Sequence, residues 1–253
     1  MARTMRIAMV ASECEPWAKT GGLADVVDAL SRALGTPQPG GPGHEVDVYL
    51  PFYRGLKPPH DLAPLELRVP VGGPAGEPRH ETVTLWSGEA DGYRLRLVEH
   101  APSFDRDSYY MDGTTDYLDN PARFTLLGRA ALEAIRAEGR PVDVIHGHDW
   151  QAGPALLSLK HAYRRDPLLA GAATMLTCHN LAYHGWTPNR DLWQLDLPKR
   201  VGHNPDGIDL LREAIDTADM VNTVSPTYAR ESLTPEYGGG LDDALRDRGD
   251  TYI

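Results

Sequence analysis

The chain has 253 residues, 41% of them hydrophobic, enough to bury a real core as one large α/β domain or two small ones, and one domain over residues 1–253 is the simpler reading. A formal charge of −11 and a pI near 5.3 leave no global basic footprint for nucleic acid or an anionic membrane, so an anionic ligand must be met locally. Two cysteines, Cys14 and Cys178, make no disulfide framework, no charged-then-apolar leader is recognisable and no run nears the ~20 apolar residues of a membrane span, which sets a reducing cytoplasm as the expectation.

The first apolar run, "RIAMVAS" from Arg6, reads as a strand. It leads through "KTGG" into a helix in which Leu23, Val26, Val27, Leu30 and Leu34 share one face at i, i+3, i+4, i+7 and i+11. A Gly-Gly turn entering a helix leaves backbone N–H groups unpaired at the positive end of the macrodipole, and Lys19 adds a mobile charge, so Lys19, Gly21 and Gly22 suit a diphosphate. Neither a Walker loop nor a Gly-x-Gly-x-x-Gly fingerprint is present, and a tight turn with a solvated lysine is the plain alternative. Glu13 and Glu15 are close in sequence with nothing to position them, and are not nominated as a hydrolase pair.

"HEVDVYL" gives a second strand, and the Pro/Gly segments Gly35–Gly43 and Val71–Glu81 read as loops. "ETVTLWS" and "YRLRLVEH" form a hairpin across a short turn. Phe124, Leu127, Ala131 and Ile135 repeat along a second helix. The strand "VDVIHGH" runs directly into Asp149, Trp150 and Gln151, ahead of a third helix in "GPALLSLKHAYRR". His146, His148 and Asp149 invite a metal, with His179 and His184 as further donors. Trp150 and Gln151 suit a sugar instead, and Asp149 as a simple N-cap is the third reading. The strand "ATMLTCH" delivers His179 and Asn180, with Tyr183, His184 and Trp186 beyond them as a possible carbohydrate surface. "MVNTVS" is the last strand, and "LDDALRDRGD" reads as a solvated helix with Asp242 paired to Arg246.

Strands alternating with helices predict a doubly wound, mostly parallel α/β sheet with a β-hairpin insertion. In such sheets ligands sit beyond the carboxyl ends of the strands, so the three polar loops are expected to meet in one crevice.

Taken together, "ASECEPWAKTGGLADVVDAL", "VYLPFY", "DNPARFTLLGRAALEA", "DVIHGHDWQAGPAL", "TCHNLAYHG" and "ADMVNTVSPTYARES" running into "YGGGLDDALRDR" resemble the bacterial glycogen synthases and plant starch synthases over nearly the whole chain. The resemblance implies the N-terminal, Rossmann-like half of a GT-B glycosyltransferase, with the C-terminal nucleotide-binding half absent. It implies retaining transfer of glucose from ADP-glucose to an α-1,4-glucan or maltooligosaccharide, without a metal or other cofactor. Lys19, Gly21 and Gly22 would sit at the diphosphate and donor glucose, with Asp25 holding the loop or meeting a sugar hydroxyl. His179 would contact the transferred glucose, and His148, Asp149 and one of Tyr109 or Tyr110 would line the acceptor channel. The stretch "FDRDSYY" departs from the family's Asp-Arg-Pro-Gly, which leaves the tyrosine unassigned between the two. A non-catalytic glucan-binding module and a metal-dependent hydrolase on His146, His148 and Asp149 stand as alternatives.

Overall fold

The computed structural model describes residues 3–37, 41–73, 76–197 and 204–253. Strand β1 (Arg6–Val10) is buried along its whole length. Successive residues of a strand face opposite sides, so Ile7 and Met9 enter one core while Ala8 and Val10 enter another. Burial on both faces is why this strand is an unbroken apolar run rather than an alternating one. Helix α1 (Gly22–Gly35) covers the Ile7 and Met9 side, and β2 (Glu45–Pro51) pairs parallel to β1 with Val10 opposite Tyr49. The buried line of α1 is Ala24, Val27 and Ser31, with Leu23, Leu30 and Leu34 half-buried on its flanks. The helix is therefore rotated from the face its leucines predict. Ser31 tolerates that burial because its hydroxyl bonds the Val27 carbonyl at 2.6 Å.

Three strands follow, β3 (Ala63–Gly72), β4 (Pro78–Glu89) and β5 (Arg94–Glu99). The expected β4–β5 hairpin is present, antiparallel, with Glu89 opposite Arg94. The segment Val71–Glu81, read as a loop, instead closes a second hairpin in which Val71 pairs with Arg79 and Val69 with Glu81. Residues 74–75 at its tip, and residues 38–40 of the loop expected at Gly35–Gly43, lie outside the described residues. Helix α2 (Ala101–Phe104) and the short pair β6 (Met111–Asp112) and β7 (Thr115–Asp116) lead to α3 (Asn120–Glu138). Then come β8 (Val144–His148), α4 (Asp149–His161), β9 (Ala173–Cys178), the pair β10 (Trp186–Pro188) and β11 (Gly207–Asp209), and α5 (Leu210–Thr217). Strand β12 (Met220–Thr223), α6 (Pro226–Glu231) and α7 (Asp242–Asp247) complete the order.

One eight-stranded sheet runs β12-β9-β8-β1-β2-β5-β4-β3. Its first six strands are mutually parallel, and β4 pairs antiparallel with β5 on one side and β3 on the other. Helices α3, α4 and α5 pack on the face opposite α1, where Phe124, Leu127, Ala131 and Ile135 are all buried. The mostly parallel, doubly wound α/β fold and its hairpin are thus as the pattern predicts, with β3 added at one edge. Away from the strand ends that carry the polar loops, Asp47 is buried between Arg6, Arg94 and Arg96, and Glu138 closes the group. Charges this deep persist only when paired and hydrogen-bonded. The Asp242–Arg246 pair forms at 2.6 Å on α7, whose Ala244 and Leu245 are buried. No helix among the described residues is long and apolar enough to cross a membrane.

Candidate functional site

Strand β1 lies between β2 and β8, so the chain leaves β1 toward one side of the sheet and later returns on the other. The loops after β1 and β8 consequently part, and a crevice opens beyond their carboxyl ends. A cavity of about 540 Å³ occupies that place, within the range of ligand pockets.

The loop after β1 is organised by Glu13, which is 4% exposed. Its carboxylate accepts from the Thr20 backbone N–H, the Thr20 hydroxyl at 2.6 Å, the Gly21 N–H at 3.1 Å and the Tyr110 hydroxyl at 2.5 Å. Glu13 was passed over in the sequence because its neighbours there say nothing of what folds onto it. Its place directly beyond the central strand was the signal that could have found it. The Gly21 N–H is thereby committed to Glu13 and is not open to a ligand. Gly21 is the N-cap of α1 with no side-chain cap, so among the described residues the N–H groups of the first turn from Gly22 onward meet no side-chain acceptor. At Gly21 the backbone is extended, and a Cβ added at Gly21 or Gly22 would meet nothing within 4 Å. Neither conformation nor packing within the chain requires glycine here; both residues border the cavity. Lys19 stands outside the cavity wall, exposed, with Nζ 2.6 Å from Asp25 and 3.0 Å from Glu15, which raises its pKa.

Of the two candidate tyrosines, Tyr110 lines the cavity, and Tyr109 stacks on Tyr53 with ring centroids 4.0 Å apart. Arg123, buried on α3, donates to the carbonyls of Ser103 and Tyr109 and so holds this loop against the core.

Asp149 opens α4 in the left-handed region, φ 57°, a conformation Asp adopts more readily than most residues. It does not cap its own helix, because His148 is the N-cap. Its Oδ1 instead accepts from the backbone N–H of His179 at 2.6 Å and of Asn180 at 3.2 Å, which ties the loop after β9 to the loop after β8. Burial pushes its pKa up to about 7, against the pull of those two N–H groups. His179 lines the cavity, and His148 lies fully buried behind it with Nδ1 3.0 Å from His179 Nε2. His148 thus reaches the cavity only through His179. His146 faces away, its Nε2 2.7 Å from the Thr177 hydroxyl. Among the described residues no three His, Cys, Asp or Glu side chains converge as a metal site.

A shallower groove shares Asp116, Asn120, Trp150 and Tyr183 with the cavity and continues past Trp186. Tyr183 and Trp186 are 61% and 45% exposed, an accessible aromatic edge. His184 is not free to serve a ligand there. Its Nδ1 lies 2.5 Å from Asp209 and its Nε2 2.9 Å from the Leu181 carbonyl, two acceptors that favour the charged ring and raise its pKa. Cys14 and Cys178 are buried thiols whose pKa burial raises, which removes the thiolate that reactivity needs. The structure therefore brings Gly21, Gly22, Tyr110, Asp149 and His179 to one cavity, with Lys19, Asp25 and Tyr109 outside its lining and His148 buried behind His179.

Residues 6–247 match the family described as the starch synthase catalytic domain. The glycogen synthase of Anaeromyxobacter dehalogenans (strain 2CP-C) is 42% identical over 253 residues, covering 96% of this chain and 50% of that protein. The glycogen synthase of Koribacter versatilis (strain Ellin345) is 37% identical over 254 residues, covering 98% and 50%. A solved structure, the catalytic domain of starch synthase IV from Arabidopsis thaliana bound to ADP and acarbose, superposes with a TM-score of 0.86 at 29% identity, covering 99% of this chain and 51% of that one. The chain spans about half the length of the curated relatives it matches. The family match over residues 6–247, with a sheet that superposes on a solved member, places this chain in the starch synthase catalytic domain family.

Proposed function

We propose that residues 1–253 are the N-terminal, acceptor-side domain of a GT-B glycogen or starch synthase. Its reaction is the retaining transfer of glucose from ADP-glucose to the non-reducing end of an α-1,4-glucan, in a cytoplasmic enzyme. The observation that carries the reading is the open first turn of α1 at Gly22, beside Tyr110, Asp149 and His179 in one cavity of a family member. A neighbour bound to ADP and acarbose supports a nucleotide and a sugar as the two occupants of such a cleft.

In this reading the uncapped N–H groups at the positive end of α1 take the charge that grows on the departing diphosphate. Lys19 adds a second positive charge by exchanging its two exposed ion pairs, which are worth little, for the phosphate. His179 is neutral, since burial lowers its pKa to about 4, so it meets the transferred glucose by hydrogen bonding and not by charge. Trp150, Tyr183 and Trp186 give the acceptor an aromatic path along the groove. A second half-domain, supported by the half-length coverage of the relatives, completes the donor site.

The test is the purified 253-residue chain. It is expected to bind maltooligosaccharide weakly by calorimetry and to transfer little or no glucose from ADP-glucose. Robust transfer by this chain alone would refute the half-site reading.

A further inference from the structure

Three imidazoles form a row that leads from the core to the cavity. The rings of His146 and His148 stack at 4.4 Å, and those of His148 and His179 lie 5.3 Å apart. The innermost proton is fixed by its surroundings. Thr177 donates its hydroxyl to Asn222 Oδ1 at 2.6 Å, so at 2.7 Å it can only accept from His146 Nε2, which therefore carries the proton.

The next link is set by an orphaned atom. His148 is fully buried, its Nδ1 is 3.0 Å from His179 Nε2, and its Nε2 meets no partner. A neutral imidazole holds one proton, so whichever nitrogen donates across this bond decides the tautomer of both rings. Donation from His179 would leave the His148 proton on Nε2, a buried N–H with no acceptor, at the full cost of its desolvation. Donation from His148 Nδ1 leaves only a lone pair unmet, and orphaned N–H groups are the rarer of the two in folded proteins. The same choice leaves the His179 proton on Nδ1, a ring nitrogen with no hydrogen-bond partner among the described residues, in a residue that lines a cavity shared with Glu13.

We propose that His148 is a positioning residue: it donates Nδ1–H to His179 Nε2 and so locks His179 in the neutral tautomer that presents Nδ1–H to an oxygen of a bound sugar. The last clause rests on the sugar-site reading of the cavity; the tautomer assignment does not. It also gives His148, expected to line the acceptor channel, a role it can fill without exposed surface.

The experiment is a long-range ¹H–¹⁵N correlation spectrum of the histidine-labelled 253-residue chain at neutral pH. His179 is expected with Nδ1 protonated and Nε2 bare, and His148 with Nδ1 protonated. A proton on His179 Nε2 overturns the proposal. His148→Asn keeps an amide N–H near the place of Nδ1 and is expected to preserve the His179 tautomer, whereas His148→Leu is expected to give a mixture of tautomers. A single unchanged tautomer in the leucine variant also overturns it. Should that variant fail to fold, the wild-type and asparagine spectra decide. Adding maltooligosaccharide and ADP to the wild type is expected to move the His179 Nδ1 resonance. A tautomer as assigned that ignores both ligands would sink the sugar reading alone.

Discussion

At the scale of single residues, the site is held by two carboxylates, Glu13 and Asp149, each of which accepts backbone N–H groups. Glu13 gathers four donors from Thr20, Gly21 and Tyr110, and hydrogen bonds to a charged acceptor are among the stronger ones. Glu13→Leu removes both acceptor oxygens and leaves the Thr20 and Gly21 N–H groups without their partner, at about 2 kcal/mol or more. The expected outcome is faster amide exchange at Thr20 and Gly21 with the sheet amides unchanged; preserved protection at both would show that the loop does not depend on Glu13. Protonation adds a second residue-scale prediction. His146 and His179 are pushed down to about 4, and His148 well below its usual value, in each case first by burial. Their folded pKa values are depressed, so their contribution is present above about 6.5 and lost as pH falls toward 4. Asp149, pushed up to about 7, has the opposite sign: its contribution is full in acid and is lost as pH rises through about 7. Three histidines outweigh one aspartate, so unfolding free energy is expected to fall on acidification from pH 6.5 to 4.5, as measured by urea titration. His146→Gln should flatten that slope by one proton, about 1.4 kcal/mol per pH unit.

At the scale of elements, α3 and α4 meet at a close joint. A Cβ built at Gly128 would lie 2.8 Å from the Ala155 Cα, Cβ and N, so backbone and not a flexible tip stands in the way. Gly128→Ala gains up to about 1 kcal/mol of helix propensity, but forcing two packed helices apart costs about 1–3 kcal/mol. The clash is expected to win, with a lower denaturation midpoint. Ala155→Gly in the same chain should rescue only part, because it removes one of the three close atoms. The elements themselves were largely legible: β-branched runs buried on both faces announce parallel strands, and the period of α3 showed its buried side. Strand β3 was missed because Pro64, Pro70 and the glycines at 72–73 look like a loop; only an edge strand tolerates such prolines. The loops that carry chemistry were legible as positions beyond strand ends. What they do there was not, because Asp149 serving the neighbouring loop and Glu13 gathering Tyr110 are contacts between segments far apart in sequence.

At the scale of the whole molecule, the cavity sets polar groups such as Gln151, His179 and Asn180 among Leu23, Val26 and Val224 and has an open side, a form compatible with the proposed second half. The open turn of α1 and Lys19 make one prediction about the protein carrying both halves. Lys19 is exposed and held by Glu15 and Asp25 at the surface, so removing it should leave stability nearly unchanged, as exposed ion pairs contribute little. In the proposed reading, a diphosphate in a cleft closed by the proposed second half meets the same charge in a drier setting, where a charge-assisted contact is stronger than at the surface. Lys19→Ala is therefore expected to raise KM for the nucleotide-sugar donor by about 10-fold or more while leaving the glucan KM within about 2-fold. Steady-state kinetics with each substrate varied in turn measures both. Equal effects on the two would mean that Lys19 acts through the fold of its loop and not on the diphosphate. A fall in thermal stability alongside would point to the same conclusion, since it is the surface pairs, not the phosphate, that such a loss reports.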